Sequence, residues 1–245
     1  MRVLIIYAHP NPRSFCHALL SRFVDGLKQA GHESDVIDLY AEGFDPVFGM
    51  KDFAFFARDD LPAEVIAKMD PRRRVEDMAG GTIKRWFAKR MLRDKSETDI
   101  LRLIARNSPA DVRAHQERLA WADGMAVVAP VFWMGFPAIL KGWIDRVFSY
   151  GFAYSLTEEG WKGDVNGRVP LLKHEKALVM MTTFFTEDHY RTGFEAAMQL
   201  TIDDWTFRYP GVQTVEHEYF YAVRAVDDDG RRAYLDRAFQ LGKSY

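Results

Sequence analysis

Runs of apolar residues alternate along this chain with segments of helical periodicity. The first run, residues 3–7, is apolar at every position, which is typical of a strand buried on both faces of a parallel sheet. Further strands are predicted at residues 34–39, 125–129, 176–183 and 212–219, and helices at 14–31, 110–122, 138–150, 187–200 and 229–241. Five strands alternating with helices predict an α/β fold. Its parallel sheet would be doubly wound, with right-handed crossovers covering both faces.

The alternation of predicted strands and helices is interrupted between about residues 50 and 109. This segment contains the helix breakers Pro62, Pro71, Gly80 and Gly81. Residues 50–110 carry 14 Lys and Arg against 10 Asp and Glu, whereas the rest of the chain carries 19 against 25. Because its apolar periodicity is thin, we interpret the segment as a helical insertion after the second strand, within a single domain spanning residues 1–245.

Composition narrows the class of protein. The 245 residues include 48% hydrophobic residues and carry a net charge of -2, so the overall charge gives no reason to expect a nucleic acid as the partner. The one cysteine, Cys16, excludes an intrachain disulfide and a multi-thiolate metal site, and no metal site is predicted. No run approaches the roughly 20 apolar residues of a membrane helix. We therefore expect a cytoplasmic protein without membrane insertion.

The loop after the first strand, residues 9–16, leads directly into a helix. A helix N-terminus presents unpaired N–H groups and the positive end of the dipole, which suits a phosphate group. His9 opens the loop, and Asn11, Arg13 and Ser14 add donors within it. The loop lacks the glycines of the dinucleotide fingerprint and of the P-loop. A proline-stiffened turn with Ser14 as helix cap is the alternative interpretation.

Cys16 and Arg22 have the C-x5-R spacing of cysteine phosphatases. That chemistry needs a loop whose N–H groups surround the phosphate, with a thiolate at its start. Residues 18–20 instead have the character of a helix interior. The sequence therefore favours a structural role for Cys16, with phosphatase activity as a remote alternative.

The loop after the third strand, residues 130–137, is almost entirely apolar and aromatic. Loops at strand ends are normally polar, so the apolar composition of this loop indicates either burial or a bound ligand. Phe132 and Trp133 could be buried against the core, or they could stack on a flat, weakly polar ligand. Backbone N–H groups around residues 132–135 would then bind the heteroatoms of that ligand and stabilise negative charge on it. Composition alone leaves both interpretations open.

Three segments together resemble the flavodoxin-like NAD(P)H:quinone oxidoreductases. They are His-Pro-Asn-Pro with Ser-Phe at residues 9–15, the block Pro-Val-Phe-Trp-Met-Gly-Phe-Pro-Ala-Ile-Leu-Lys-Gly-Trp-Ile-Asp-Arg-Val-Phe at 130–148, and Gly-Phe-Ala-Tyr at 151–154. The resemblance covers roughly residues 1–50 and 110–245 and leaves the insertion outside. It implies a flavodoxin-like fold, a tightly bound flavin (usually FAD, with FMN as the alternative), NAD(P)H as co-substrate and a homodimer.

The resemblance also implies site residues. The segment holding the flavin phosphates would include His9, Ser14, Phe15 and Cys16, with Asn11 as an added donor. The residues along the flavin ring would be Pro130, Val131, Phe132, Trp133 and Met134, and beside the ring Thr182 and Thr183.

The chain departs from the mammalian branch of that family after the fourth strand. Phe184 and Phe185 stand where that branch has two glycines, so we expect a narrowed or redirected wall. Tyr190 falls where that branch has a tyrosine near the flavin, whereas the partner histidine is replaced by an alanine near Ala196. His189 is the candidate substitute. Tyr190 or His189 would donate a hydrogen bond to the acceptor or to the flavin edge, and these are the predicted catalytic residues.

The activity implied is two-electron reduction of quinones or related small acceptors. Hydride would pass from NAD(P)H through flavin N5 in a ping-pong cycle. One alternative is an electron carrier of flavodoxin type, and another is a flavin-binding regulatory subunit that docks on a larger partner through the insertion. We further hypothesise that an arginine of the run 72–74 pairs with the 2′-phosphate of NADPH, although most such runs are solvated helix faces.

Overall fold

The computed structural model describes residues 1–56 and 61–245. Its strands, in chain order, are β1 (Arg2–Tyr7), β2 (Glu33–Asp38), β3 (Gly124–Pro130), β4 (Tyr154–Leu156), β5 (Arg168–Pro170), β6 (Lys176–Thr182) and β7 (Thr214–Phe220). Five of them form one parallel sheet in the order β2-β1-β3-β6-β7. The predicted five-stranded parallel sheet is confirmed. The order reverses between β1 and β3, which is where open α/β sheets bind their ligands.

The helices are α1 (Phe15–Gln29), α2 (Ala63–Met69), α3 (Pro71–Met78), α4 (Thr82–Leu92), α5 (Glu97–Ala105), α6 (Ala110–Trp121), α7 (Ala138–Val147), α8 (Glu158–Trp161), α9 (Glu187–Tyr190), α10 (Phe194–Met198) and α11 (Asp228–Lys243). Short 3₁₀ turns cover Met50–Phe56 and Val165–Gly167. Among the helices of the described residues, none has both the length and the apolar character needed to cross a membrane.

Strand β1 shows why the apolar runs are continuous. Leu4 and Ile6 pack on the face that α6 and α7 cover, whereas Val3, Ile5 and Tyr7 pack under α1 and α11. Successive strand side chains point to opposite faces, so a strand covered on both sides is apolar at every position. Helices therefore lie on both faces, as the sequence predicts.

Helices α1 and α11 approach each other unusually closely. A Cβ atom on Gly26 would lie 2.1 Å from the carbonyl oxygen of Phe239, and one on Gly242 would lie 2.1 Å from the carbonyl oxygen of Phe23. Glycine is required at these two positions because any side chain would collide with backbone. The contact fixes α1, whose N-terminus reaches the candidate site.

The insertion after β2 is helical, as predicted, and comprises a 3₁₀ turn and helices α2 to α5. It has a small apolar core of its own, made of Ala54, Leu92, Ile100, Leu101 and Ile104. A buried ion pair between Asp52 and Arg146 of α7, with Nε to Oδ1 at 2.8 Å, attaches it to the main body. That the chain forms one domain stays a prediction.

One local expectation is wrong, and one pair of strands was missed. The helix predicted at 187–200 is interrupted, because α9 ends at Tyr190 and Gly193 adopts φ +127° before α10 and a π-helical segment at Gln199–Arg208. The antiparallel pair β4–β5 was also not expected. Its strands have three residues each and do not alternate between buried and exposed positions, so they carry no detectable period.

Candidate functional site

A cavity of about 460 Å³ lies at the carboxyl ends of β1, β3 and β6. These strands are parallel neighbours, so the loops that follow them meet at one edge of the sheet. The cavity is lined by His9, Asn11, Ser14, Phe15, Cys16, Pro130, Val131, Phe132, Thr182, Thr183, Phe184, Val223, Arg224 and Arg231. Ten of the twelve cofactor residues expected from the sequence are brought together here, all except Trp133 and Met134.

The loop after β1 is held by its own polar groups. The amide of Arg13 donates to Asn11 Oδ1 at 2.9 Å, and the amide of Ser14 donates to the Asn11 carbonyl at 3.1 Å. Ser14 Oγ accepts the amide of His17 at 3.1 Å and thereby caps α1. Phe15 and Cys16 begin α1 and line the cavity, so the N-terminus of this helix, the positive end of its dipole, lies beside the cavity. This end of the cavity suits an anion.

His9 is arranged as a neutral hydrogen-bond donor. Its Nδ1 accepts the amide of Asn11 at 3.0 Å, which places the proton of the neutral ring on Nε2. Burial lowers the pKa of His9 below its ordinary value. The ring is therefore largely uncharged at neutral pH and can offer Nε2–H to a ligand.

Cys16 lacks the properties of a nucleophile. It is only 3% exposed, and burial raises the pKa of its thiol to about 12. It also lies inside α1 rather than at the start of a phosphate loop. Because the thiol keeps its proton at neutral pH, the structure argues against the phosphatase alternative.

The loop after β3 forms a tight turn. The amides of Phe132 and Gly135 donate to each other's carbonyl oxygens at 3.0 and 3.1 Å, and the intervening residues Trp133 and Met134 adopt φ +50° and +56°. Such turns usually carry Asn-Gly, and bulky residues at positive φ are strained. The turn exposes Trp133 fully and packs Met134 against the core, so neither lines the cavity.

This turn also corrects the expectation about backbone donors. Two of the N–H groups expected to face a ligand, those of Phe132 and Gly135, are used within the turn, and the amide of Val131 donates to the Thr182 carbonyl at 2.9 Å. Only the amides of Trp133 and Met134 are left out of this internal pairing. Phe132 itself lines the cavity and supplies an aromatic surface.

The wall after β6 is fixed by Thr183. Its Oγ1 donates to the Phe185 carbonyl at 2.7 Å and accepts the amide of Ala222 at 3.1 Å, which ties this loop to the one after β7. Phe184 lines the cavity and is more than half exposed. Where the mammalian branch of the resembled family has a glycine, this chain has an aromatic side chain in the wall of the cavity, and the cavity is still present.

The two predicted catalytic residues lie outside the cavity lining. Tyr190 is 2% exposed and packs among Tyr219, Tyr221 and Phe194. Burial raises the pKa of Tyr190. His189 is exposed, with its ring centroid 4.8 Å from that of Phe185 and 5.0 Å from that of Phe194. Their catalytic roles stay predictions.

Sequence reasoning missed three lining residues, Val223, Arg224 and Arg231. They follow β7, whose carboxyl end was not considered because the motifs lie after the other strands. The guanidinium carbon of Arg231 lies 5.5 Å from the ring centroid of Phe15 at the start of α1. The cavity thus combines guanidinium groups and a helix N-terminus with the aromatic surfaces of Phe132 and Phe184. This set of donors and rings fits an anionic phosphate group attached to a flat ring system.

Two arginines of the run 72–74 are occupied within the insertion. Arg72 donates to the carbonyl oxygens of Leu92 at 2.6 Å and Lys95 at 2.9 Å, and Arg74 donates to the Met69 carbonyl at 2.8 Å. These bonds give Arg72 and Arg74 a structural role. The 2′-phosphate hypothesis therefore has no support from either residue.

The comparisons with known proteins agree with this geometry. The family described as having a flavodoxin-like fold matches residues 1–241. The chain belongs to this family. The bounds of the match include residues 50–109, the insertion that the resemblance drawn from the sequence motifs leaves outside.

Relatives that match nearly the whole of this chain carry oxidoreductase names. An uncharacterized NAD(P)H oxidoreductase of Haemophilus influenzae is 28% identical over 242 residues, covering 98% of this chain and 93% of the relative. NAD(P)H dehydrogenase [quinone] 1 of Cavia porcellus is 29% identical, covering 96% of this chain and 73% of the relative. The solved NAD(P)H:quinone oxidoreductase from Methanothermobacter marburgensis is 28% identical with a TM-score of 0.67, covering 100% and 95%. The resemblance to the NAD(P)H:quinone oxidoreductases is confirmed, and these relatives are enzymes.

Proposed function

We propose that this chain is a flavin-dependent oxidoreductase that reduces quinones or related small acceptors with NAD(P)H by two electrons. The observation that carries the proposal is the cavity at the switch point, which joins an anion-binding end to an aromatic end. The names of the relatives support the same reaction class.

The anion-binding end would hold the phosphates of the cofactor. The residues that would supply its donors are Phe15 and Cys16 at the N-terminus of α1 together with Arg224 and Arg231. Guanidinium groups bind phosphate through short, charge-assisted hydrogen bonds. We propose FAD as the flavin, because arginines on the loop after β7 and on α11 match a diphosphate better than a single phosphate. FMN is the alternative outcome.

The aromatic end would hold the ring system. Phe132 and Phe184 offer apolar surfaces that exclude water and orient a flat ligand between the loops after β3 and β6. A flavin held between these two rings would supply the chemistry of hydride transfer between NAD(P)H and the acceptor. His9 would offer its Nε2–H to a ligand held in the same cavity.

Tyr190 would act through Thr183 and not by direct contact. Tyr190 is buried and interacts with Thr183, which lines the cavity. We propose Tyr190 as a positioning residue for this wall. His189, whose ring lies tilted against that of Phe185, would support the same loop from the solvent side.

The mouth of the cavity is surrounded by exposed aromatic side chains. Phe132, Trp133, Phe184 and Phe185 are each between about half and fully exposed. Exposed apolar groups clustered in this way mark an interaction site. We propose that a second copy of the chain covers them in a homodimer, and that the protein works in the cytoplasm, where its single cysteine stays reduced.

Steady-state kinetics with a matched pair of variants test the proposed function. The protein should oxidise NADPH or NADH only when a quinone such as benzoquinone is supplied, and its double-reciprocal plots should be parallel. Arg231→Met should weaken flavin binding about tenfold or more, since a charge-assisted hydrogen bond is worth about 1.5–3 kcal/mol. The control Arg232→Met, whose ion pair with Asp229 lies outside the cavity lining, should retain it.

Three results would contradict the proposal. Flavin binding without any NAD(P)H oxidation would favour the electron carrier or the regulatory subunit. Equal losses in the two arginine variants would remove the phosphate role of Arg231. A protein that elutes as a monomer in size-exclusion chromatography with light scattering would remove the homodimer.

A further inference from the structure

Helix α4 turns an apolar face outward. Four large side chains on it are more than half exposed: Ile83 (74%), Trp86 (55%), Phe87 (60%) and Met91 (53%). Their spacing of three, four and eight residues places them on one side of the helix. Ala88 and Leu92, on the opposite side, are buried toward the insertion. An amphipathic helix of a globular domain normally buries its apolar stripe, so this outward stripe lacks a covering surface in the described chain.

The same helix is strongly basic. Residues 82–93 contain Lys84, Arg85, Lys89, Arg90 and Arg93 and no acidic residue. On the side nearest α3, Arg85 pairs with Asp77 at 3.0 Å and Lys89 with Glu76 at 3.5 Å. These two pairs attach α4 to its neighbour and fix which side faces outward.

The remaining three cations surround the apolar stripe. Lys84, Arg90 and Arg93 are exposed, and within residues 1–56 and 61–245 no carboxylate lies within ion-pair distance of them. Arg90 lies on the same side of the helix as the stripe, and its guanidinium carbon is 5.8 Å from the ring centroid of Trp86. Apolar rings flanked by long cationic side chains are the arrangement by which surface helices lie in a lipid interface.

Charge decides between the possible occupants of this face. A second copy pairing α4 with α4 about a two-fold axis would bring two strongly basic helices together. An anionic lipid surface is complementary to both parts of the face: its headgroups attract the cations, and its acyl boundary receives the apolar stripe. The rest of the chain carries more acidic than basic residues, so the insertion would be the side that turns to such a surface.

We propose that α4 docks the protein on anionic bilayers, lying in the headgroup region with Trp86 and Phe87 toward the acyl chains. The docking is peripheral, because α4 has 11 residues and cannot span a membrane. The proposal does not depend on the redox activity, since α4 contributes no residue to the cavity at the switch point.

Co-sedimentation with vesicles tests the proposal on the full-length protein. We expect binding to vesicles of equal parts phosphatidylcholine and phosphatidylglycerol and none to phosphatidylcholine alone. Binding should fall steeply at about 1 M salt, where the Debye length is about 3 Å. Trp86→Ser/Phe87→Ser should lose about tenfold or more in affinity. The control Trp205→Ser, at a similarly exposed tryptophan outside the insertion, should bind as the wild type does.

A second variant separates docking from folding. Lys84→Gln/Arg93→Gln alters only exposed charges, so it should keep the wild-type circular dichroism spectrum and still lose about tenfold in binding to the anionic vesicles. Equal binding to both vesicle types would overturn the proposal, as would equal loss in the Trp205 control. If Trp86→Ser/Phe87→Ser instead converts a dimer to a monomer without any wild-type vesicle binding, the face is a contact between copies of the chain and the proposal is wrong.

Discussion

Arg146 connects the inserted helices to the helix that follows the β3 loop. Its side chain and that of Asp52 are both 0% exposed. Besides the 2.8 Å bond to Asp52, the guanidinium donates to the Asp45 carbonyl at 2.7 Å and to Asp111 Oδ2 at 2.8 Å, and its carbon lies 5.2 Å from the ring centroid of Phe44. Replacing Arg146 by Met keeps much of the length and removes the charge.

The expected cost follows from what Arg146→Met leaves behind. Asp52 stays buried, and within residues 1–56 and 61–245 its side chain keeps one hydrogen-bond donor, the amide of Gly49 at 2.7 Å. Breaking a buried ion pair on one side costs about 3–5 kcal/mol, because the remaining charge is uncompensated. In a domain of this size each kcal/mol lowers Tm by about 2–4 °C, so Tm should fall by about 6–20 °C.

Urea unfolding followed by circular dichroism measures this loss. The control is Arg237→Met, since Arg237 makes a two-bond contact with Glu218 on the surface, where such a pair is worth at most about 1 kcal/mol. The double variant Arg146→Met/Asp52→Leu should recover much of the loss, because it removes both buried charges. A loss below about 1 kcal/mol in Arg146→Met, or equal to that of the control, would refute the reasoning.

Three further predictions concern stability and reactivity. Hydrogen bonds from the side chain and amide of Arg2 lower the pKa of Asp123 from 3.8 to about 2. The ionised carboxylate therefore stabilises the folded protein fully above about pH 4, and this contribution is lost as the pH falls toward 2. Arg2→Gln should flatten the plot of urea midpoint against pH between about pH 2 and 4, and an unchanged slope would contradict this role of Arg2. Cys16 should resist iodoacetamide at neutral pH until the protein is unfolded, so rapid labelling of folded protein would be the contrary result. Gly26→Ala should lower the free energy of unfolding by about 1–3 kcal/mol, because its methyl group would collide with the backbone of α11. Gly81→Ala is the control, since no atom beyond its chain neighbours lies within 4 Å of its added methyl group, and equal stabilities of the two variants would contradict the close helix contact.

The fold was predictable where one local signal decided the structure. Residues 3–7 are apolar at every position because helices cover both faces of β1, so sequence alone identified the strand. The break between α9 and α10 depends on Gly193 at φ +127°, and a glycine inside a helical pattern is compatible with either outcome. The insertion was recognised as helical, yet its attachment through Arg146 and Asp52 joins residues 94 positions apart and leaves no local pattern.

The candidate site was predictable to the extent that it follows from parallel strands. The loops after β1, β3 and β6 meet because those strands are neighbours, and the expected residues there share one cavity. Trp133 lies outside the cavity lining because a turn at positive φ, which its own residue type disfavours, directs it outward. Arg231 was missed because its place depends on how α11 packs beside α1, which is a long-range contact.

The most direct test of the central claim is an absorbance spectrum of the purified protein, recorded before and after anaerobic addition of NADPH or NADH and again after addition of a quinone. The account predicts flavin bands that bleach with the nicotinamide and return with the quinone, and release of the cofactor then identifies FAD or FMN. A flavin that neither nicotinamide bleaches, or a protein that binds no flavin even after reconstitution, would contradict it.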